Sequence, residues 1–231
     1  MTSLDLTAVG LGFVSPVATT AREHVFLLRS EAAMHAGRPF VDGTGERLEV
    51  LCCPLVDAAL GLEERLVALG DLALGPALEG LRAGGGKPLP YGSVVVHWCA
   101  PDDGAPQTSE LLASCEEAWT ASQELPFGRR FAGAASCYEA LPAAAVALSQ
   151  GASAVVLLAV DSSANPAVIA RRLHPVQKWV PIPPRLSEAA AALVVTTPAL
   201  AAEQSARFGR VRFAAVAPGV GSDLDDEPVD G

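Results

Sequence analysis

A chain of 231 residues is long enough for one large domain, and because half of its residues are hydrophobic it can bury a sizeable core. Only 18% of the residues are charged, and the formal net charge is −10. This acidic balance argues against nucleic acid and against an anionic membrane surface as binding partners.

The first half of the chain is expected to alternate short strands with helices. Gly and Pro recur through residues 34–47, which therefore predict a loop. Apolar residues recur at spacings of three and four through residues 62–82, which predicts a helix that Gly70 and Gly75 could divide. In chain order the predicted elements are a strand over residues 6–14, a helix over about 20–30, the loop, a strand over 48–53 and the helix over 62–82.

The second half contains a further run of elements and ends on an acidic segment. An extended course is expected for residues 164–185 because of Pro175, Pro181, Pro183 and Pro184, and the five acidic residues of 221–231 predict a disordered tail. The predicted elements are a buried strand over 93–98, a helix over 108–123, a central unit over 130–163, and closing strands over 189–196 and 211–216.

The central unit is the most informative stretch of the chain. A short strand ends at Gly133, and residues 140–150 then predict a helix without an ionic side chain, which Gly151 ends by tolerating a positive φ. Residues 154–160 form a continuous apolar run, typical of a strand covered on both faces. A helix that is apolar all round needs protein on both sides. A central helix in an ordinary α/β domain is the simpler alternative.

Three stretches resemble the thiolase/ketosynthase family, the condensing enzymes of fatty-acid and polyketide synthesis. Residues 8–16, AVGLGFVSP, are similar to the family's opening strand, G-x-G-x-x-S-P. The central unit is similar to its nucleophile region, in which a strand, a Thr-Ala-Cys turn, a buried helix, a Gly and a Val/Leu strand follow one another. Residues 185–195, RLSEAAAALVV, are similar to its G-E-G-A-A-A-L-V-L segment. The three matches lie in the family's order over nearly the whole chain.

The resemblance implies an α/β fold equivalent to the first half of a family member. We expect a single thiolase-type half over residues 1–220, a three-layer α-β-α arrangement with a mixed five-stranded sheet, followed by the acidic tail over 221–231. In a full member two such halves pack so that the central helices lie between two sheets.

The chain departs from the family at the nucleophile. When the family's helix-closing Gly is laid on Gly151, the catalytic Cys position falls on Ala134, and T-A-C becomes Ala132-Gly133-Ala134. Alanine cannot supply the thiolate that the chemistry needs. Cys137 lies three residues further on and is interpreted as a small packing thiol. A gap in the alignment would instead make Cys137 a working nucleophile.

A second departure concerns acid–base groups. The family's second half supplies the histidines that drive decarboxylation, and the four histidines of this chain match no second-half motif. They are His24, His35, His97 and His174. No candidate general acid or base is therefore visible. Ser187 and Ala189 replace the glycines of the G-E-G segment, so that turn is expected to have a different backbone.

No cofactor or metal site is expected. Gly10-x-Gly12 lacks the third glycine of a dinucleotide loop and is followed by Pro16, while Gly84-Gly85-Gly86-Lys87 has the wrong spacing for a phosphate loop. His97 and Cys99 alone do not make a metal site; we interpret them as lining the core or the mouth of the former pocket.

The cysteine content bears on location. Five cysteines, an odd number without the spacing of a disulfide framework, favour a reducing cytoplasm. Residues 1–16 lack a signal-peptide pattern, and no apolar run reaches transmembrane length. We therefore expect a cytoplasmic protein, and the richness in Ala, Gly, Pro and Arg suggests a bacterial, GC-rich genome.

An apolar central helix in a single half predicts an interface. We expect a homodimer, with this helix near the twofold axis, or a hetero-oligomer with another protein. Basic residues beside Trp179 suggest contact with an acidic partner, although a solvated loop is equally compatible. The interface candidates are Leu141, Val146, Leu148, Arg171, Arg172 and Trp179.

Three functions are compatible with these features. The first is a non-catalytic thiolase-like protein that acts by protein contact, for example as an adaptor or accessory protein of a bacterial type VI secretion effector cluster. The second is an inactive partner subunit of a ketosynthase, like the chain-length factor that lacks the Cys and shapes the pocket. The third is an acyltransferase or condensing enzyme that uses Cys137, and only this one implies an acyl carrier protein or an acyl-thioester as partner.

Overall fold

A computed structural model describes residues 3–29, 37–41, 47–82, 93–100, 106–133, 136–164, 186–202 and 208–214. Its strands are β1 (Ser3–Val14), β2 (Gly37–Val41), β3 (Arg47–Leu51), β4 (Val94–Ala100), β5 (Phe127–Ala132), β6 (Ala154–Ser162), β7 (Leu186–Thr196) and β8 (Gly209–Ala214). Its helices are α1 (Ala21–Arg29), α2 (Leu62–Arg82), α3 (Pro106–Gln123), α4 (Ser136–Ser149) and α5 (Pro198–Ala202).

The strands form one mixed sheet in the order β5-β4-β6-β7-β1-β8, with the β2–β3 hairpin beside the start of β7. β4 is parallel to both β5 and β6, whereas β7 runs antiparallel to β6 and to β1. β1 in turn pairs with β8, and β3 joins the first residues of β7 in parallel. The buried strands β4 and β6 therefore lie inside the sheet, and β5 forms one edge.

Helices cover both faces of this sheet. Successive side chains of a strand point to opposite faces of the sheet, so Val156 and Leu158 lie on one face and Val155 and Leu157 on the other. The first pair belongs to the larger core with α2 and α3, and the second pair packs with Ala140, Ala144 and Leu148 of α4. The result is three layers, with α2 and α3 on one side and α4 on the other.

Close packing of α2 on β1 depends on glycine. A methyl group added at Gly12 would overlap the carbonyl group of Ala73, and one at Gly10 would overlap that of Ala77. The G-x-G pattern of the first strand therefore lets a helix backbone approach the sheet, which is the use of glycine that close packing requires.

A buried ion pair ties α2 to β7. Arg65 Nε donates to Glu188 Oε2 at 2.7 Å, and both side chains are buried. Glu188 also accepts a hydrogen bond from the backbone N–H of Cys53 at 2.6 Å and one from the Ser162 hydroxyl at 2.8 Å. The carboxylate is thus bonded by three elements of the chain, which compensates for its removal from water.

The α/β class, the mixed sheet and the three-layer arrangement are confirmed. The predicted number of five strands is too small, because the described residues alone form a sheet of eight. Residues 34–47 were expected to form a loop, yet residues 37–41 and 47–51 pair as a hairpin at the sheet's margin. Pro39 signals a loop in the sequence, but β2 pairs only with β3 among the described strands, and an edge strand tolerates proline.

α2 is continuous from Leu62 to Arg82, so neither Gly70 nor Gly75 divides it. Gly70 instead makes room for the indole ring of Trp119, which a Cβ atom at this position would overlap. None of the described helices combines the length and the apolar character that crossing a bilayer requires. The predicted acidic tail, 221–231, lies outside the described residues.

Candidate functional site

Gly133 follows β5, and α4 begins at Ser136, in the order of strand and helix that the central unit predicts. Gly133 has a φ of 89° and donates its N–H to the Ala100 carbonyl at 3.3 Å, and Ser136 N–H donates to the Gly133 carbonyl at 3.1 Å. The ends of β4 and β5 are therefore held against the start of α4. Ala134, which the resemblance places at the nucleophile position, lies outside the described residues.

Cys137 lies on the first turn of α4 and is exposed, so it does not pack inside the core as expected. Its neighbour is the buried thiol of Cys99, at the end of β4. Burial, together with the adjacent Cys137 thiol, raises the pKa of Cys99 to about 12, so this thiol is protonated at neutral pH. Among the described residues, the neighbour of Cys137 is thus another neutral thiol and not a basic group.

Two of the four histidines are described. His24 lies on α1, beside Phe13 and within 3.4 Å of the Ser15 hydroxyl. His97 is buried in the middle of β4, in edge contact with Phe131. His35 and His174 lie outside the described residues. Neither described imidazole is recorded in contact with Cys137.

The C-terminus of α4 ends as the sequence predicts. Gly151 has a φ of 106°, its N–H donates to the Leu148 carbonyl, and the N–H of Ala152 donates to the Ala147 carbonyl. This pair of bonds is a Schellman motif, which satisfies the last carbonyls of a helix. The start of α4 differs from the expectation, because the helix begins at Ser136 rather than at about residue 140.

α4 is buried on one side only. Ser136, Ala140, Ala144 and Leu148 form the stripe that packs on the sheet. On the opposite side Tyr138 is 67% exposed and Val146 is 48% exposed. We call this side the open face of α4, and its residues are Tyr138, Glu139, Pro142 and Val146. The only charged side chain of the helix is Glu139.

The interface candidates separate in the structure. Val146 belongs to the open face, whereas the half-buried Leu141 packs against the core beside Ala140 and Ala144. Leu148 is 7% exposed and packs in the core with Ala144, so it is not available to a partner. Periodicity could not make this distinction, because all three side chains are apolar. Arg171, Arg172 and Trp179 lie outside the described residues.

In the part of the chain that the structure describes, no three His, Cys, Asp or Glu side chains converge as metal ligands would.

One polar pair was not predicted from the sequence. Arg129 on β5 lies directly opposite His97 on β4, beside the C-terminal half of α4. Strand pairing brings them together, and no spacing along the chain signals it.

No protein-family model and no curated protein sequence matches the chain. Solved structures do share its fold. The ishigamide ketosynthase/chain length factor superposes with a TM-score of 0.61 at 20% identity, over 87% of this chain and 64% of that one. A ketosynthase from module 6 of the Bacillus subtilis 168 bacillaene synthase gives a TM-score of 0.60 at 13% identity, over 86% of this chain and 40% of the other.

A third similar structure is the AntDE:AntF complex, a type II PKS acyl-carrier protein with its ketosynthase bound to the hexaketide. Its TM-score is 0.61 at 15% identity, over 89% of this chain and 66% of that one. This chain therefore spans between 40% and 66% of the length of these three structures. At such identities the likeness establishes architecture alone: the chain has the thiolase-like fold of ketosynthases, over part of their length.

Proposed function

We propose that this chain is a non-catalytic ketosynthase-like subunit that pairs with another protein through the open face of α4. The observation that carries the proposal is the one-sided burial of this helix. Tyr138 is 67% exposed and Val146 is 48% exposed, and the helix has a single charged side chain, Glu139. An apolar face of this kind on a folded chain marks a contact surface more often than a solvated one.

The residues at the turn support the absence of condensing chemistry. The resemblance places alanine at the nucleophile position, and Cys137 has the protonated Cys99 thiol as its neighbour. A cysteine nucleophile forms its thiolate with the help of an adjacent base, a cationic neighbour or a helix N-terminus. Among the described residues Cys137 has only the last of these, because it lies on the first turn of α4.

The similar structures favour pairing within a synthase. One of them is named as a ketosynthase/chain length factor, and another as a ketosynthase in complex with an acyl-carrier protein. By analogy with the first name, the partner that we propose is a chain of the same fold. Such a partner is either a ketosynthase of the same organism or a second copy of this chain. The accessory role in type VI secretion stays a prediction.

A charge placed on the open face tests the proposal. Tyr138→Asp is expected to weaken association at least about tenfold, because the carboxylate would be buried without a partner at the contact. Leu55→Asp is the matched control, since Leu55 is 55% exposed on the loop before α2 and far from α4 in the sheet order. Sedimentation velocity of this chain, alone and with the ketosynthase of the same organism, measures the effect. Equal behaviour of the two variants would contradict the proposal.

Acylation of Cys137 separates this function from an enzymatic one. Iodoacetamide is expected to modify Cys137 faster than the other four cysteines, because those four are buried. An acyl-thioester is expected to leave Cys137 unmodified, since no base activates it. Mass spectrometry of both reactions, with Cys137→Ser as the control, decides between them. Rapid and selective acylation at Cys137 would support an acyltransferase or condensing enzyme instead.

A further inference from the structure

A groove of about 400 Å³ runs along the C-terminal half of α4, between that helix and the edge strand β5. We call it the β5–α4 groove. Its volume lies toward the small end of the range, roughly 300–1,000 Å³, in which proteins hold small molecules. It is separate from the turn at Gly133, which lies at the other end of α4. Its lining consists of Ser93, Val95, His97, Gly128, Arg129, Ala143, Val146, Ala147, Gln150, Gly151 and Ala152.

His97 forms part of the groove wall and is only 3% exposed. Neither of its ring nitrogens makes a hydrogen bond of ordinary distance and angle among the described residues, although the backbone carbonyls of Val96 and Ala143 lie close enough to favour its charged form. Buried polar groups are almost always bonded, so an orphaned imidazole at a groove calls for an explanation. Gly128 lets the ring lie where it does, because a Cβ atom on this residue would be 2.8 Å from the ring carbon Cε1 of His97.

The imidazole of His97 is neutral at pH 7. Burial lowers its pKa from the ordinary value of 6.5, and the nearby Arg129 charge adds to this, although the backbone carbonyls of Val96 and Ala143 act in the opposite direction. A neutral imidazole has one N–H donor and one acceptor nitrogen. It can therefore donate a single hydrogen bond to an oxygen atom in the groove.

Arg129 supplies the positive charge. It lies opposite His97 across the β4–β5 pair, and its side chain is exposed at the groove. Within the described part of the chain Arg129 forms no ion pair, whereas its neighbour Arg130 is bonded to Glu116 at 2.9 Å. No acidic side chain lines the groove. The polar end of the groove thus favours a negatively charged group with acceptor oxygens.

The remaining wall contains both polar and apolar side chains, with Ser93 and Gln150 among the polar ones. Val95, Ala143 and Ala147 supply its apolar part. A charged head between Arg129 and His97 would therefore be followed by a short hydrocarbon chain against these three residues. We propose that the β5–α4 groove is a binding site for a short aliphatic carboxylate, with its head bonded by the Arg129 guanidinium and the His97 N–H.

NMR titration of the His97 imidazole in the full-length, ¹⁵N-labelled protein tests this inference. The probe is butyrate, with butanol and butylammonium as matched ligands that have the same hydrocarbon chain and a different head. Saturating butyrate is expected to raise the pKa of His97 by about one unit, because a nearby anion favours the imidazolium. Butanol and butylammonium are expected to leave it unchanged, and His24, remote from the groove, is the internal reference.

Two variants assign the effect to the groove. Arg129→Gln is expected to abolish the butyrate-induced shift, while Arg130→Gln, which changes the adjacent residue on the opposite face of the sheet, is expected to retain it. A butyrate shift equal to that of butanol, or one that survives Arg129→Gln, would overturn the inference. The carboxylate could also come from an acidic side chain of a partner. Loss of association in Arg129→Gln, with no response to butyrate, would identify that source and refute a small-molecule site.

Discussion

Glu188 shows how one buried side chain holds several elements together. Its carboxylate bonds with Arg65 of α2, with the Cys53 backbone and with Ser162 of β6, and it lies on β7 itself. Arg65 extends the network by donating to the Asp57 carbonyl at 2.7 Å. In the sequence Glu188 is visible only as the acid of the segment that resembles G-E-G. Its arginine partner lies more than a hundred residues earlier, and no local pattern indicates it.

Removal of Arg65 is expected to be costly. Arg65→Met should lower the free energy of unfolding by about 3–5 kcal/mol, because it leaves the Glu188 carboxylate buried without its cation. Arg130→Met is the control, since its ion pair with Glu116 is partly exposed, and such pairs contribute about 0–1 kcal/mol. Urea denaturation followed by circular dichroism measures both. Equal losses in the two variants would mean that the buried pair has no special role.

The buried imidazole of His97 makes stability depend on pH. Its pKa in the folded protein lies below the ordinary value of 6.5. Below pH 6.5 the unfolded chain therefore binds a proton that the folded chain does not, and the free energy of unfolding falls as the pH falls. Above pH 6.5 this contribution is fully present and constant.

Denaturant titrations between pH 7.5 and 5.5 measure that dependence. The wild-type protein is expected to lose stability across the lower part of this range, and His97→Gln is expected to show a smaller slope. His24→Gln provides the control, because this histidine is only half-buried on α1. A slope that is unchanged in His97→Gln would show that other groups cause the dependence.

At the scale of elements, the contact of α2 with β1 explains the paired glycines of the first strand. Gly12→Ala is expected to destabilise the protein by about 1–3 kcal/mol or more, because the added methyl group meets the Ala73 backbone rather than a movable side chain. Gly75→Ala is the contrasting change, since nothing lies within 4 Å of a Cβ atom there. Alanine is favoured over glycine in a helix, but Pro76 crowds the Cβ atom of the residue before it, so this change should alter stability little. Thermal unfolding should therefore shift in Gly12→Ala and hardly at all in Gly75→Ala, and a neutral Gly12→Ala would contradict the close approach.

The elements that could be predicted are those with a strong local signal. Residues 154–160 form an apolar run inside β6, and Gly151 ends α4 with a positive φ. The β2–β3 hairpin could not be predicted, because Pro39 and the flanking glycines indicate a loop. Residues 37–41 are a strand only through their pairing with β3. The first turn of α4 was also missed, since Ser136 and Glu139 interrupt the apolar pattern on which the predicted start at residue 140 rested.

The candidate site was predictable only in part. The turn at Gly133 and the apolar character of α4 follow from the sequence, and so does the exposure of some face of that helix. Which face is exposed depends on how the helix lies on β4 and β6, and this places Leu148 inside and Val146 outside. The Arg129–His97 pair depends on the register between β4 and β5, which has a shift next to His97. Neither feature is encoded by spacing along the chain.

At the scale of the whole molecule, the chain has the three layers of a thiolase-type half, and the outer side of its α4 layer is apolar. The sheet buries one stripe of α4, and the open face carries Tyr138 and Val146 to the surface. A partner that covers this face would place α4 between two proteins, as the family resemblance implies for central helices. The pairing of the open face with a partner is therefore the central claim, and ligand binding in the β5–α4 groove is a separate proposal.

Light scattering coupled to size-exclusion chromatography at micromolar concentration tests the pairing most directly. One chain has a mass of 23.7 kDa. The account predicts a complex of about twice this mass if the chain pairs with itself, or a larger complex that appears when the ketosynthase of the same organism is added. A single species at the mass of one chain, both alone and in the presence of that ketosynthase, would contradict it.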